Sequence, residues 1–228
     1  MELTDQIKKE IKEHCLSDVE NECCGLILSN GKVIPCENRA SDSDVHFIIN
    51  SWDIKKAKEE GWVSATYHSH VKVKEDEEDK LSNDDKIISE YFNIEFVLYS
   101  IKNDEFCTYQ PTGKPIEYVG RPYIRHVLDE THLIRDYYKR ELNIEIKVKN
   151  RNKEGFLKEN GFGEENGGKK GDILLINWAG DKNDKRLGIY VGGDKILVQP
   201  EFEQSKIVDY NYGLKNWTAK MFRHNKLI

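Results

Sequence analysis

His68 and His70 close an apolar run that begins at Trp62. Residues two apart on an extended strand project from one face, so the two imidazoles point the same way. Ser82 and Asp85 follow a charged stretch, and Glu22 lies upstream in Glu22-Cys23-Cys24-Gly25. Two imidazoles, two carboxylates and a hydroxyl are the parts of a catalytic zinc site. Such a site uses three protein ligands and leaves the fourth position to water, whose pKa zinc lowers to about 7. His68 and His70 are candidate ligands. Asp85, three residues after Ser82 and on the same helical face, is a candidate third. Glu22 is a candidate general base, and Ser82 a candidate hydrogen-bond donor to an oxyanion. Each piece also has an ordinary reading. A His-x-His pair on a strand more often packs than ligates, Ser82-Asn83-Asp84-Asp85 is also a capping box, and Glu22 also fits a surface residue before a strand. Their conjunction favours metal.

The chain that must position these groups has 228 residues, 38% of them hydrophobic, 33% charged, with a net charge of −6. That length suits one large domain or two smaller ones. The acidic balance argues against general affinity for nucleic acid or anionic membrane. No apolar stretch reaches the roughly 20 residues of a membrane span. Met1-Glu2-Leu3-Thr4-Asp5 lacks a basic region leading into an apolar core, so no signal peptide is expected. The five cysteines, Cys15, Cys23, Cys24, Cys36 and Cys107, are odd in number and show no paired framework. Reduced thiols are the expectation.

Leu3, Ile7, Ile11 and Cys15 recur at four-residue steps, which predicts an amphipathic helix over 3–16. Residues 24–28 and 33–36 read as strands joined by a hairpin turn at Ser29-Asn30-Gly31-Lys32. Residues 46–49 read as a further strand, 52–60 as a helix capped by Ser51, and 62–67 as the buried strand that delivers the histidines. The run 71–80, with Lys74-Glu75-Asp76-Glu77-Glu78-Asp79 inside it, reads as a solvated loop. Ser82 opens a helix to about Phe92, and 94–101 with 105–109 form a hairpin. Pro111-Thr112-Gly113-Lys114-Pro115 breaks any element and reads as a linker, giving domains 1–113 and 114–228. Beyond it, 123–142 is predicted as one helix and 171–176 as a strand. Residues 187–191 and 195–198 make a hairpin across Gly192-Gly193-Asp194. The expected class is α+β in two domains.

Glu22 three residues before Gly25, His68-Ser69-His70 and Ser82-x-x-Asp85 together resemble the JAB/MPN (JAMM) metalloprotease motif. The resemblance covers about residues 1–110. It implies a mixed sheet flanked by helices, Zn2+ as cofactor, and His68, His70 and Asp85 as its ligands. It further implies Glu22 as general base, Ser82 as oxyanion stabiliser and a peptide or isopeptide as substrate. Val71 replaces the proline common after the second histidine. The eleven residues between His70 and Ser82 exceed the usual spacing, an extension that is cheap entropically and lies over the implied cleft.

Gly120-Arg121-Pro122-Tyr123, Leu133-Ile134-Arg135-Asp136-Tyr137-Tyr138, Gly171-Asp172-Ile173-Leu174-Leu175 and Gly188-Ile189-Tyr190-Val191-Gly192 resemble a second family. They are similar to the papain-like NlpC-type cysteine peptidases, in the version fused behind a JAB domain in tail-tip assembly proteins of lambda-like siphophages. Papain-like chemistry needs a thiolate, an imidazole and a third polar group. By the resemblance these belong at Glu130, Arg186 and near Val198-Gln199, where the cysteine and the two usual histidines are missing, so all three roles read as vacant. No cysteine follows Cys107. The expectation is a retained fold with lost peptidase chemistry, with Glu130 and Arg186 paired where the Cys–His couple would sit. Tyr210, Tyr212, Trp217 and Phe222 read either as a binding face or as core. The resemblance implies location in the virion tail tip after assembly in the host cytoplasm, with hub and tape-measure proteins as partners. Two other readings stand beside the phage enzyme: a purely structural tail-tip protein with vestigial sites, and a cellular JAB peptidase, which the degenerate second half disfavours.

Overall fold

The computed structural model describes residues 1–71, 73, 79–125, 127–149 and 152–227. Most of the acidic–basic run 71–80 therefore lies outside the described residues. The chain divides into two compact units, Met1–Ile116 and Glu117–Ile228, each with its own sheet and core. The architecture is α+β, as the sequence patterning leads one to expect.

In the first unit, α1 (Asp5–Cys15) starts where the Thr4 hydroxyl accepts from the Ile7 amide. It buries Ile7, Ile11 and Cys15. A five-stranded sheet has the order β2-β1-β3-β4-β5, formed by β1 (Cys24–Leu28), β2 (Val33–Cys36), β3 (Val63–His70), β4 (Glu95–Ser100) and β5 (Glu105–Tyr109). Only the β3–β4 pair is parallel. A parallel pair needs a crossover, and α3 (Asn83–Phe92) supplies it. The helix α2 (Ser51–Glu60) leads into β3 from an Asn50 cap, one residue earlier than the sequence suggested. Ile7, Ile11, Ile27, Tyr67, Val97 and Tyr99 form one core cluster, and Leu26, Leu28, Ala57 and Val63 contribute to another.

Gly25 faces Tyr67 across the β1–β3 ladder, and a Cβ there would meet the Tyr67 ring and hydroxyl at 2.4 Å. Tyr67 is wholly buried and its hydroxyl is tied to His14 Nδ1 at 2.9 Å, so the ring has nowhere to go. Gly25→Ala is expected to cost about 1–3 kcal/mol by overpacking, read as a lower urea midpoint at unchanged slope.

Three local expectations are corrected. Residues 46–49 form no strand: the Asn38 side chain donates to the Glu22 and His46 carbonyls and accepts from the Ile48 amide, taking the place of a strand neighbour. Cys15 and Cys23 are joined in a disulfide, because the last turn of α1 comes within 5.3 Å (Cα–Cα) of the chain entering β1. Cys24, Cys36 and Cys107 are free. In the second unit the helix is α4 (Glu130–Leu142), not 123–142. Asp129 caps it by accepting from the Thr131 and His132 amides, while Ile124 and Leu128 bridge in a tight reversal.

The second unit adds α5 (Lys153–Glu159), β6 (Phe162–Glu164), β7 (Ile173–Asn177), β8 (Lys185–Gly192), β9 (Lys195–Val198), β10 (Lys206–Asp209), α6 (Tyr212–Trp217) and β11 (Thr218–His224). Its sheet runs β10-β9-β8-β7-β11-β6 and packs on α4 through Leu133, Ile134, Tyr137, Tyr138, Ile173 and Ile189. Among the described residues no helix is long and apolar enough to cross a membrane.

Candidate metal centre

β3 carries His68 and His70 at its end, one pleat repeat apart, with Nε2 atoms 3.2 Å from each other. The first turn of α3 brings Asp85 to the same place, its Oδ2 3.7 Å from His68 Nε2. One ligand atom from each of the three lies within 4.8 Å of the other two. Zinc bonds of about 2.0–2.1 Å in a tetrahedron place neighbouring ligand atoms about 3.4 Å apart, so the spacing suits that ion.

The protonation pattern suits it too. His70 Nδ1 lies 2.8 Å from Asp79 Oδ1, and a carboxylate oxygen accepts, so the ring proton sits on Nδ1 and the Nε2 lone pair faces His68. Burial lowers the His68 pKa, Asp85 opposing and His70 adding to the shift, which keeps that ring neutral near pH 7. His68 is wholly enclosed, and its Nδ1 has no partner. Two imidazoles and a carboxylate converging in one place are the donor set zinc takes.

Phe47 stacks on His68 with centroids 4.5 Å apart and planes at 22°. The sequence reading missed this wall, having placed Phe47 in a strand. It also missed Asp79, assigned to a solvated loop yet with a fully buried side chain. The one local hint was the apolar Leu81 two residues on, itself buried.

Ser82 and Asp85 make both bonds of a capping box. Ser82 Oγ donates to Asp85 Oδ2 at 2.7 Å and accepts from the Asp85 amide at 3.0 Å, while the Ser82 amide donates to the same Oδ2 at 2.8 Å. The helix cap and the third donor are thus one carboxylate. The Ser82 hydroxyl proton is committed to it and must be released to serve an oxyanion.

Glu22 sits two residues before β1. Its amide donates to the Ser43 carbonyl, and its own carbonyl accepts from Asn38. The next residue, Cys23, is bonded through its amide to Ser69 Oγ at 3.0 Å, which ties the Glu22 segment to the histidine strand. The carboxyl is buried. Burial, with Asp85, Asp44, Asp79 and Asp42 in its field, pushes its pKa up to about 8.

In the second unit Glu130 and Arg186 line one open cleft of about 910 Å3, together with Tyr123, His132 and Glu201. They are not ion-paired with each other. Glu130 pairs with Lys153 of α5, and Arg186 with Asp184 and Glu201, because both cleft walls supply nearer partners. His132 Nδ1 is held by Asp129 Oδ1 at 2.8 Å. Gln199 is buried and donates to the Glu203 carbonyl. No thiol exists in this unit. Of the four aromatics, Tyr210 and Phe222 pack against the cores, Trp217 is partly exposed, and Tyr212 is largely exposed.

No known protein family's sequence profile matches the chain, and no curated protein matches it either. Among solved structures, it is similar to an NlpC/P60 family protein from Bacillus cereus ATCC 10987, with 12% identity and a TM-score of 0.38. That alignment takes in 93% of this chain but only 66% of the other, just under two thirds of its length.

Proposed function

We propose that the first unit is a zinc-dependent metallopeptidase of JAMM type that cleaves a peptide or isopeptide bond. The observation supporting this is the convergence of His68, His70 and Asp85 donor atoms, with a buried Glu22 carboxyl that feels the charge of Asp85. Zinc held by those three residues would polarise the scissile carbonyl and make water acidic enough to attack near neutral pH. Glu22 takes the proton from the attacking water and returns it to the leaving amine nitrogen. A dication near Glu22 favours the ionised form that a base requires. Ser82, once its hydroxyl turns from Asp85, donates to the substrate oxyanion. Phe47 and the enclosed position of His68 exclude water from one side of the site.

In the same reading the protein is a siphophage tail-tip component, acting during tail assembly or host entry beside hub and tape-measure proteins. A second reading, a purely structural tail-tip protein with vestigial peptidase sites, draws on the second unit. There Lys153, Asp184 and Glu201 ion pairs occupy the cleft walls and no thiol is present.

Zinc content by mass spectrometry is expected at about one ion per chain for a single three-donor site. Chelation is expected to abolish cleavage of a peptide library, and zinc to restore it. Protein that takes up no zinc, or cleaves equally with and without chelator, would sink the peptidase reading.

A further inference from the structure

We propose that Asp79 is the positioning residue of His70, fixing the ring so that Nε2 faces the metal. This rests on the zinc reading above. Asp79 lies between His70 and Ser82, in the stretch of eleven residues that joins the two parts of the site.

The case begins with the cost of the group. The Asp79 side chain is fully buried, and among the described residues its Oδ1 meets the His70 ring at 2.8 Å while Oδ2 has no hydrogen-bond partner. A buried carboxylate with a single hydrogen bond is expensive, by several kcal/mol before compensation. It is therefore a poor device for stability. Its geometry is that of an orienting group. Oδ1 fixes the Nδ1–H tautomer of His70, which turns the Nε2 lone pair toward His68 Nε2 and Asp85. A carboxylate behind a ligating imidazole also raises the basicity of that ligand. His68 has no equivalent, since its Nδ1 is unpartnered and Phe47 stacking with enclosure holds its ring.

The test uses the full chain with zinc alone as probe. In 15N-histidine NMR of zinc-free protein, His70 is expected in the Nδ1–H tautomer, and Asp79→Ala is expected to lose that preference. Zinc affinity by chelator competition is expected to fall about 10- to 100-fold in Asp79→Ala, with Asp79→Asn between, as it keeps an acceptor without the charge. The Co2+-substituted protein should show a shifted visible spectrum in both variants. Asp79→Asn is expected to melt at or above the wild-type temperature without metal, which separates positioning from folding. A wild-type tautomer in Asp79→Ala, or wild-type zinc affinity, would overturn the proposal. If wild-type protein binds zinc but cleaves no peptide, the peptidase reading fails and the Asp79 assignment stands. If it binds no zinc, the metal reading fails and the tautomer alone decides Asp79.

Discussion

Glu22→Gln is expected to lower kcat for peptide cleavage about 10²–10⁴-fold while leaving zinc content unchanged, because it removes a proton carrier and not a ligand. The same substitution should stabilise the zinc-free fold. Glu22 has its pKa raised to about 8 by burial and by Asp85, Asp44, Asp79 and Asp42, against 4.5 for an unburied glutamate. A carboxyl whose folded pKa is raised contributes stability fully below the unfolded value and loses it as pH rises through the folded one. The wild type therefore weakens between pH 4.5 and about 8, and Gln, which does not titrate, escapes the loss. The gain should be near zero at pH 4.5 and reach about 1–2 kcal/mol at pH 8, after discounting for solvent access. Calorimetric melting of both proteins across that range, without metal, reads the difference. A variant that loses activity and stability together would mean Glu22 is structural. Activity lost with stability gained is the mark of a functional group that the fold holds at a cost.

What the sequence shows of this site follows from how locally each feature is encoded. A His-x-His pair ending an apolar run states its own geometry, since the strand period of two places both rings on one face. The crossover helix is equally legible, because Ser82 and Asp85 form the cap as well as the candidate site. Asp79 is not legible. Within the run of alternating charges nothing marks which carboxylate turns inward; Leu81 just beyond it is a hint, and His70, nine residues away, decides it. Phe47 and the Cys15–Cys23 bond are likewise products of chain return, contacts between segments whose spacing carries no period. The helix over 123–142 fails for another reason. Its apolar spacing is real, but Asp129 satisfies the amides of Thr131 and His132 and starts the helix there. The failed Glu130–Arg186 pair shows the same limit, since Lys153 and Glu201 come from elements that neither residue announces.

Asp85 is where the ordinary reading and the functional one meet in one carboxylate, and substitutions can separate them. As a cap, Asp85 accepts from the Ser82 amide and hydroxyl, and losing such a cap costs about 1 kcal/mol whether or not zinc is present. As a ligand, it supplies one of three donors, and losing it leaves two imidazoles, too few to hold zinc against competing chelators. Asp85→Asn keeps an oxygen to accept the cap bonds but is a poor zinc ligand, whereas Asp85→Ala removes both functions. If Asp85 ligates, both variants lose zinc and cleavage, and only Ala loses stability in the zinc-free state. If Asp85 only caps, Asn retains zinc and activity, and Ala pays about 1 kcal/mol with zinc affinity intact. Ser82→Ala completes the comparison. It deletes the hydroxyl partner of Asp85 but no metal donor, so zinc should stay bound while kcat falls about 10²–10³-fold for a lost oxyanion donor. A Ser82→Ala protein with full activity would leave the hydroxyl to the cap alone, and the burden of oxyanion stabilisation would pass to the metal.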